Sequence, residues 1–326
     1  KGYKKECICA PLFKMLEATF ELFVPLVMAA VIDTGIGNGD KGYVIRMCLI
    51  LITLGIIGLV CSITAQYFAA KAAVGFSTGL RHALFSHIQS LSFTEMDTVG
   101  TSTLITRMTS DVNQAQNGVN MFLRLFLRSP FIVFGAMVMA FTIDWKAAMI
   151  FVVTIPVLAV VVFGIMAISM PLYKRVQEKL DAVLGITREN LTGARVIRAF
   201  NKEHSEIENF RERNEGLTAA QLFVGKISAL MNPVTYIIIN VATVVLIYTG
   251  AVRVDTGVIT QGEVVALVNY MSQILVELIK LANLIVTLTK AGACMNRIAG
   301  VLDMESTMEF PGHAAGSMEG ELAVEF

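Results

Sequence analysis

Glu189-Asn-Leu-Thr-Gly-Ala-Arg-Val-Ile-Arg-Ala-Phe-Asn-Lys-Glu203 lies in the middle of a polar segment that runs from Lys174 to Lys226, with a long apolar run on each side. A chain that crosses a membrane has no reason to keep so long a charged helical excursion unless a partner docks on it. The rest of the sequence then reads as the device that carries this stretch to its partner and responds when the partner moves.

Composition supports the membrane reading. The 326 residues are 55% hydrophobic and 16% charged, and the mean hydropathy is +0.66. A soluble domain is about 45–50% apolar and about 25% charged. The net charge is zero, so nothing in the total points to a nucleic-acid partner, and none is expected. The five cysteines, Cys7, Cys9, Cys48, Cys61 and Cys294, have neither zinc-site nor redox-pair spacing. His82, His87, His204 and His313 are scattered, so no metal site is expected. The Lys-rich start is not read as a secretory signal, because Glu17 and Glu21 interrupt the apolar run.

A spanning helix needs about 20 mostly apolar residues. Met47–Ala70, Ala147–Tyr173 and Ile227–Val252 meet this without a charge, and Pro11–Ile32, Leu123–Ile143 and Val264–Thr289 meet it with a few charges. The sequence thus predicts an all-α membrane protein with six transmembrane helices, at about 10–32, 44–92, 104–143, 146–191, 203–252 and 261–302. Residues 1–303 would form the membrane domain.

Lys and Arg in the loops set the orientation. Lys174–Lys226 holds ten, whereas the turns Asp33–Arg46, Asp144–Lys146 and Arg253–Glu263 hold two, one and one. Both chain ends and both long polar segments are therefore expected in the cytoplasm of a multi-pass protein of the cell (plasma) membrane. Trp145 falls at an outer boundary, where amphipathic rings settle.

The inner connections, Lys71–Asn120 and Lys174–Lys226, carry apolar residues at helical spacing: Leu80, Leu84, Ile88 and Leu91 in the first, Val176, Leu180, Val183 and Leu184 in the second. They are predicted to be helical extensions of the second to fifth spans, reaching roughly 35–40 Å beyond the bilayer. The tips are placed at Met96–Ser102 and Thr192–Phe200, with Gly100 and Gly193 suited to a sharp change of direction. Pro25, Pro130, Pro156 and Pro233 lie inside spans, with Asn232-Pro233 the best candidate for a bending point. Residues 304–326 read as a linker and, at Glu321-Leu-Ala-Val-Glu-Phe326, as the first strand of a soluble domain that follows.

In this order the motifs resemble the membrane domain of an ATP-binding-cassette (ABC) exporter of the six-helix half-transporter kind (type I exporter, or type IV, fold). Leu91–Asn113, with Asp97, Gly100, Arg107 and Ser110-Asp-Val112, is similar to the first cytoplasmic turn of that family, and Gly193-Ala-Arg-Val-Ile-Arg-Ala-Phe200 to the second. Arg297-Ile-Ala-Gly-Val-Leu-Asp303 resembles the end of the sixth helix. Gly320–Phe326 resembles the strand that opens the nucleotide-binding domain.

The resemblance implies a domain-swapped homo- or heterodimer whose fourth and fifth helices cross to the partner. Thr98, Val99, Gly100 and Thr101, and Arg195, Val196, Ile197, Arg198, Ala199 and Phe200, would form coupling helices resting on nucleotide-binding domains. ATP and Mg would act in those domains. The chain itself carries no catalytic residue or cofactor, shows none of the nucleotide-binding motifs, and is not expected to hydrolyse ATP. The implied function is that of a permease for drug-like (multidrug), lipid or peptide cargo. The alternative is a channel or sensor subunit built on the same helices. Two departures from the family's pattern are Met96, where a second aromatic is usual, and Glu277-Leu278, where many members have a proline.

Charges at membrane depth mark an interior cavity or structural pairs. Counting from the outer boundaries puts Glu17, Arg128 and Glu277 roughly 6, 7 and 9 Å above the inner boundary and Glu21 at about 12 Å. Arg124 and Lys280 lie nearer the interface. Glu17 and Glu21 stand four apart on one helical face, and so do Arg124 and Arg128. Either Glu17, Glu21 and Glu277 line a vestibule that favours cationic or amphipathic cargo, or Glu17 pairs with Arg128 and Glu277 with Lys280.

Overall fold

The computed structural model describes residues 2–307. The linker from residue 308, the strand at 321–326 and His313 lie outside the described residues. Six helices among the described residues are long and apolar enough to cross a membrane, and no strand occurs among them.

The first span is α1 (Lys4–Ala30), whose last turns widen to π-helix over Val31–Ile36. It starts ahead of the apolar run because Glu6, in its first turn, bonds Lys71 at 3.0 Å. The second span is the 50-residue α2 (Lys41–Ser90), opened by Asp40, whose carboxylate accepts from the Tyr43 N–H at 3.0 Å. The first tip is α3 (Phe93–Val99) and α4 (Thr101–Thr106). The return runs through a π-helical turn at Arg107–Asp111 into α5 (Val112–Leu125) and α6 (Arg128–Ile143). Then come α7 (Trp145–Thr192), the second tip α8 (Ala194–Ala199), α9 (Glu203–Ala229), α10 (Met231–Asp255) and α11 (Gln261–Leu302).

Two spans predicted as single helices are broken, and proline explains both. Pro130 has no N–H for the Phe126 carbonyl, and its ring crowds that carbonyl. The helix opens at Phe126-Leu127, so Arg124 and Arg128 belong to separate helices, contrary to the expectation of one shared face. Pro233 does the same to the Ala229 carbonyl, and α9 gives way to α10 at Leu230. Pro25, Pro156 and Pro171 stay inside unbroken helices.

The membrane core forms where α1, α6, α7, α10 and α11 meet. Leu22, Ile132, Phe151, Leu246, Tyr270 and Ile274 are buried there, and the Tyr270 hydroxyl donates to the Leu22 carbonyl at 2.6 Å. The ends of the spans far from the two tips are stitched by carboxylates. Asp144 accepts from the Ala147 N–H at 3.0 Å, capping α7, and from Arg253 Nε of α10 at 3.2 Å. Asp33 accepts from Thr260 Oγ1 at 2.6 Å and from the Gly262 N–H at 2.8 Å. A side chain at Gly262 would meet the Ala29 carbonyl at 2.4 Å, so α1 and α11 approach this closely only over glycine.

A second core sits in the extension beyond the apolar runs, where Leu84, Ile88, Leu104, Val112, Ile298 and Val301 join α2, α4, α5 and α11. Beside it the buried Asp111 carboxylate accepts from Arg107 at 2.7 Å and from Arg297 at 2.6 and 3.1 Å. Arg297 first, then Arg107, holds this carboxyl at about 2, against the upward push of burial. Its folded value lies below the unfolded value of about 4. The stabilisation it gives is therefore complete above about pH 4 and is lost as the pH falls toward 2. Hydrogen exchange, corrected for intrinsic rates, should show α11 loosening from the 107–111 turn only below about pH 4. Asp111→Asn should show the loosened pattern already at neutral pH, and a parent-like pattern in that variant would contradict this role.

The polar half of α7 and α9 pack on each other, away from this second core. They form a hairpin that leaves the rest of the extension and carries α8 at its end.

Candidate functional site

Two regions hold the site residues expected from sequence. The first is the pair of tips at the ends of the long helical extensions. At the first tip Ser92 opens α3 with a reciprocal capping box, in which the Ser92 N–H donates to Glu95 Oε2 at 2.7 Å. The other Glu95 oxygen accepts from Thr307 Oγ1 at 2.7 Å, tying the tip to the segment after α11. Bonds from Ser92, then Thr307, hold the Glu95 carboxyl at about 2. Gly100 turns the chain between α3 and α4 with φ +82° and ψ 133°, a conformation open to glycine. Thr98 and Thr101 are exposed, and Val99 and Gly100 are half-buried.

The second tip is built differently from the expectation. Gly193 has φ −88°, which any residue can adopt, so it does not supply the sharp turn. Asn201 supplies it, with φ +50°. The Lys202 N–H donates to the Ile197 carbonyl at 3.0 Å and the Asn201 N–H to the Arg198 carbonyl at 3.2 Å. These two bonds close a Schellman end to α8, and asparagine is the usual substitute for glycine in it. Ile197 is the inward residue, against the start of α9. Arg195, Val196, Arg198, Ala199 and Phe200 face outward. Val196 is 59% and Phe200 73% exposed, an apolar surface with nothing of this chain over it.

The second region is the charge cluster at membrane depth. Arg128, only 7% exposed, is its centre. It donates to Glu277 Oε1 at 2.8 Å and to Glu21 Oε2 at 2.6 Å, which joins α6 to α11 and to α1. Glu277 also accepts from Lys280 at 2.7 Å and from Ser129 Oγ at 2.8 Å. Three donors meet the most buried acid, as low-dielectric burial demands. Glu17 pairs with Lys14, not with Arg128, and Lys14 donates in turn to Ser62 of α2 at 3.1 Å. Lys14, Ser129 and Ser62 were missed by the sequence reading. Lys14, three residues before Glu17 on the same helix, was the one recoverable signal. Arg124 forms no ion pair among the described residues, and its Nε is buried without a hydrogen-bond partner.

Glu21 differs from the other two acids. Its side chain is 41% exposed and has one ion-pair partner. It stands between two cavities. One, of about 610 Å³, lies between α1 and α2 and is bounded by Glu17, Phe20, Glu21 and Arg128 on one side and by Gly55 and Gly58 on the other. The other, of about 270 Å³, lies against α11, at Asn269, Ser272, Gln273, Glu277 and Lys280.

With this geometry in place the likeness to known proteins can be stated. Residues 7–278 match the family model described as the ABC transporter transmembrane region. An uncharacterized ABC transporter ATP-binding protein of Mycobacterium tuberculosis is 32% identical over 326 residues, covering 99% of this chain and 56% of that protein. One of Bacillus subtilis is 29% identical over 322 residues, with the same coverage. An ATP-dependent lipid A-core flippase of Yersinia pestis is 22% identical over 327 residues, 99% of this chain and 54% of the flippase. The chain thus spans about half the length of the curated relatives it matches. Since the family match takes in most of its residues, from the first turns of α1 to the charge cluster on α11, the chain belongs to the ABC transporter transmembrane regions.

Proposed function

We propose that this chain is the permease part of an ATP-driven exporter in the cell membrane. It works by alternating access, with both termini and both tips in the cytoplasm. The supporting observation is the pair of exposed tips, Thr98–Thr101 and Arg195–Phe200, at the ends of long helical extensions. The second tip shows uncovered Val196 and Phe200 on a hairpin that packs only on itself. A helix pair of this kind has few apolar contacts of its own, so an apolar tip needs a partner surface. That partner is a nucleotide-binding domain, which supplies ATP and Mg chemistry that this chain does not perform. The hairpin crosses to a second transmembrane subunit, so each subunit reports to the opposite nucleotide-binding domain. Residues 1–303 form the transmembrane unit and 304–326 lead out of it.

Cargo is an amphipathic or cationic small molecule that reaches the cluster of Glu17, Glu21, Arg124, Arg128, Glu277 and Lys280. A second reading, lipid flipping, is favoured by the flippase relative and by the mainly apolar cavity between α1 and α2.

Oxidative cross-linking tests the crossover. In the intact protein, with Cys7, Cys9, Cys48, Cys61 and Cys294 replaced, a cysteine introduced by Ala199→Cys should join the nucleotide-binding domain of the opposite subunit. Exclusive linkage within one subunit would refute it.

A further inference from the structure

We propose that the cavity between α1 and α2 is a binding site for a protonated, amine-bearing amphiphile, with its ammonium head at Glu21 and its tail along the Gly55–Gly58 face of α2. The inference deepens the exporter reading and rests on it only for the term cargo; binding itself can be measured without nucleotide.

One of the three acids at this depth is free to meet a ligand. Glu277 has both oxygens engaged, by Arg128, Lys280 and Ser129, and is 3% exposed. Glu17 is held by Lys14. Glu21 has a single donor, Arg128, and keeps 41% of its side chain exposed. Arg128 does not depend on Glu21, because Glu277 holds its other terminal nitrogen. The pair that can yield is therefore Glu21 with Arg128: a cationic head can share or take the Glu21 carboxylate while Arg128 stays compensated.

The tail requirement comes from the opposite wall. Leu51, Leu54, Gly55, Gly58 and Leu59 line the cavity, and Leu51 to Ser62 extends about 16 Å along α2. The two glycines face open space: a Cβ built on either meets nothing within 4 Å. Nothing in the packing of this chain demands glycine there, yet larger residues would fill the cavity. Phe20 adds an aromatic ring near the head, suited to a cation. An anionic head fits poorly, since the exposed charge at this end is a carboxylate.

Equilibrium binding of radiolabelled dodecylammonium to the intact protein in nanodiscs, with protein-free nanodiscs subtracted, tests the site. Dodecanol and dodecanoate serve as comparison ligands. Gly58→Leu should weaken dodecylammonium binding about tenfold or more by occupying the tail space. Glu21→Gln should weaken it about tenfold or more while leaving dodecanol within about twofold. Gly79→Leu is the control, being also open to a Cβ and outside the cavity; it should change nothing. Equal binding of all three ligands to the parent would make the cavity a mere acyl groove and overturn the assignment. So would unchanged dodecylammonium binding in Gly58→Leu, a variant that removes no bond. Failure of the Ala199→Cys cross-link with these binding changes intact would count against the exporter reading alone.

Discussion

Arg128→Met is expected to destabilise the membrane domain by about 3 kcal/mol, the largest loss from any single substitution in the charge cluster. The change keeps the apolar stem and removes the guanidinium that joins α1, α6 and α11. Removing one partner of a buried ion pair costs about 3–5 kcal/mol, because the remaining charge is stranded. Lys280 and Ser129 still reach Glu277, which places the loss at the lower end. Glu277→Gln should cost less, since Arg128 keeps Glu21 and Lys280 can extend to the interface. The ordering is readable from melting of the intact protein, followed through the reactivity of the buried thiol of Cys61. A melting point for Arg128→Met equal to the parent's would mean that the cluster does not hold the three helices together.

Phe200→Ala is expected to act in the opposite way, leaving stability unchanged and cutting ATP-driven transport at least about tenfold. Phe200 is 73% exposed, and its truncation leaves no cavity, so stability should stay within about 0.5 kcal/mol. At a protein interface, an anchoring aromatic is worth about 2 kcal/mol or more, roughly thirtyfold in docking affinity. Stimulation of ATP hydrolysis by cargo should disappear, whereas dodecylammonium binding should be retained. A variant that melts earlier but transports normally would place Phe200 in the fold and remove it from the transmission contact.

The architecture was largely legible because its strongest signals are long. Six apolar runs and two polar excursions with helical spacing survive any error of a few residues at their ends. What stayed hidden is local and depends on pairing. Residue counting put Glu17, Arg128 and Glu277 at similar depth and Glu21 about a turn deeper, yet Arg128 meets Glu21 and Glu277 and leaves Glu17 to Lys14. It could not say which acid takes which base, since that is set by helix rotation. Arg128 takes both Glu21 and Glu277 whereas Arg124 takes no acid among the described residues, and depth alone carries no such information. Pro130 and Pro233 were noticed as kinks, but each acts four residues upstream, at the carbonyl it leaves without a donor. The second tip shows the same limit: Gly193 drew attention, whereas the left-handed residue is Asn201.

The proline-induced joint at Leu230 also fixes a mechanical ratio. Beyond it, the last turn of α10 carries Arg253, which is fastened to Asp144. Inside it, α9 is a rod of 27 residues, or about 40 Å. A change of about 20° at the joint, the size of an ordinary kink, would sweep the far end of α9 by about 14 Å. The end fastened to Asp144 would barely shift. A small bend at Leu230 would thus be magnified at the α8 end of the hairpin.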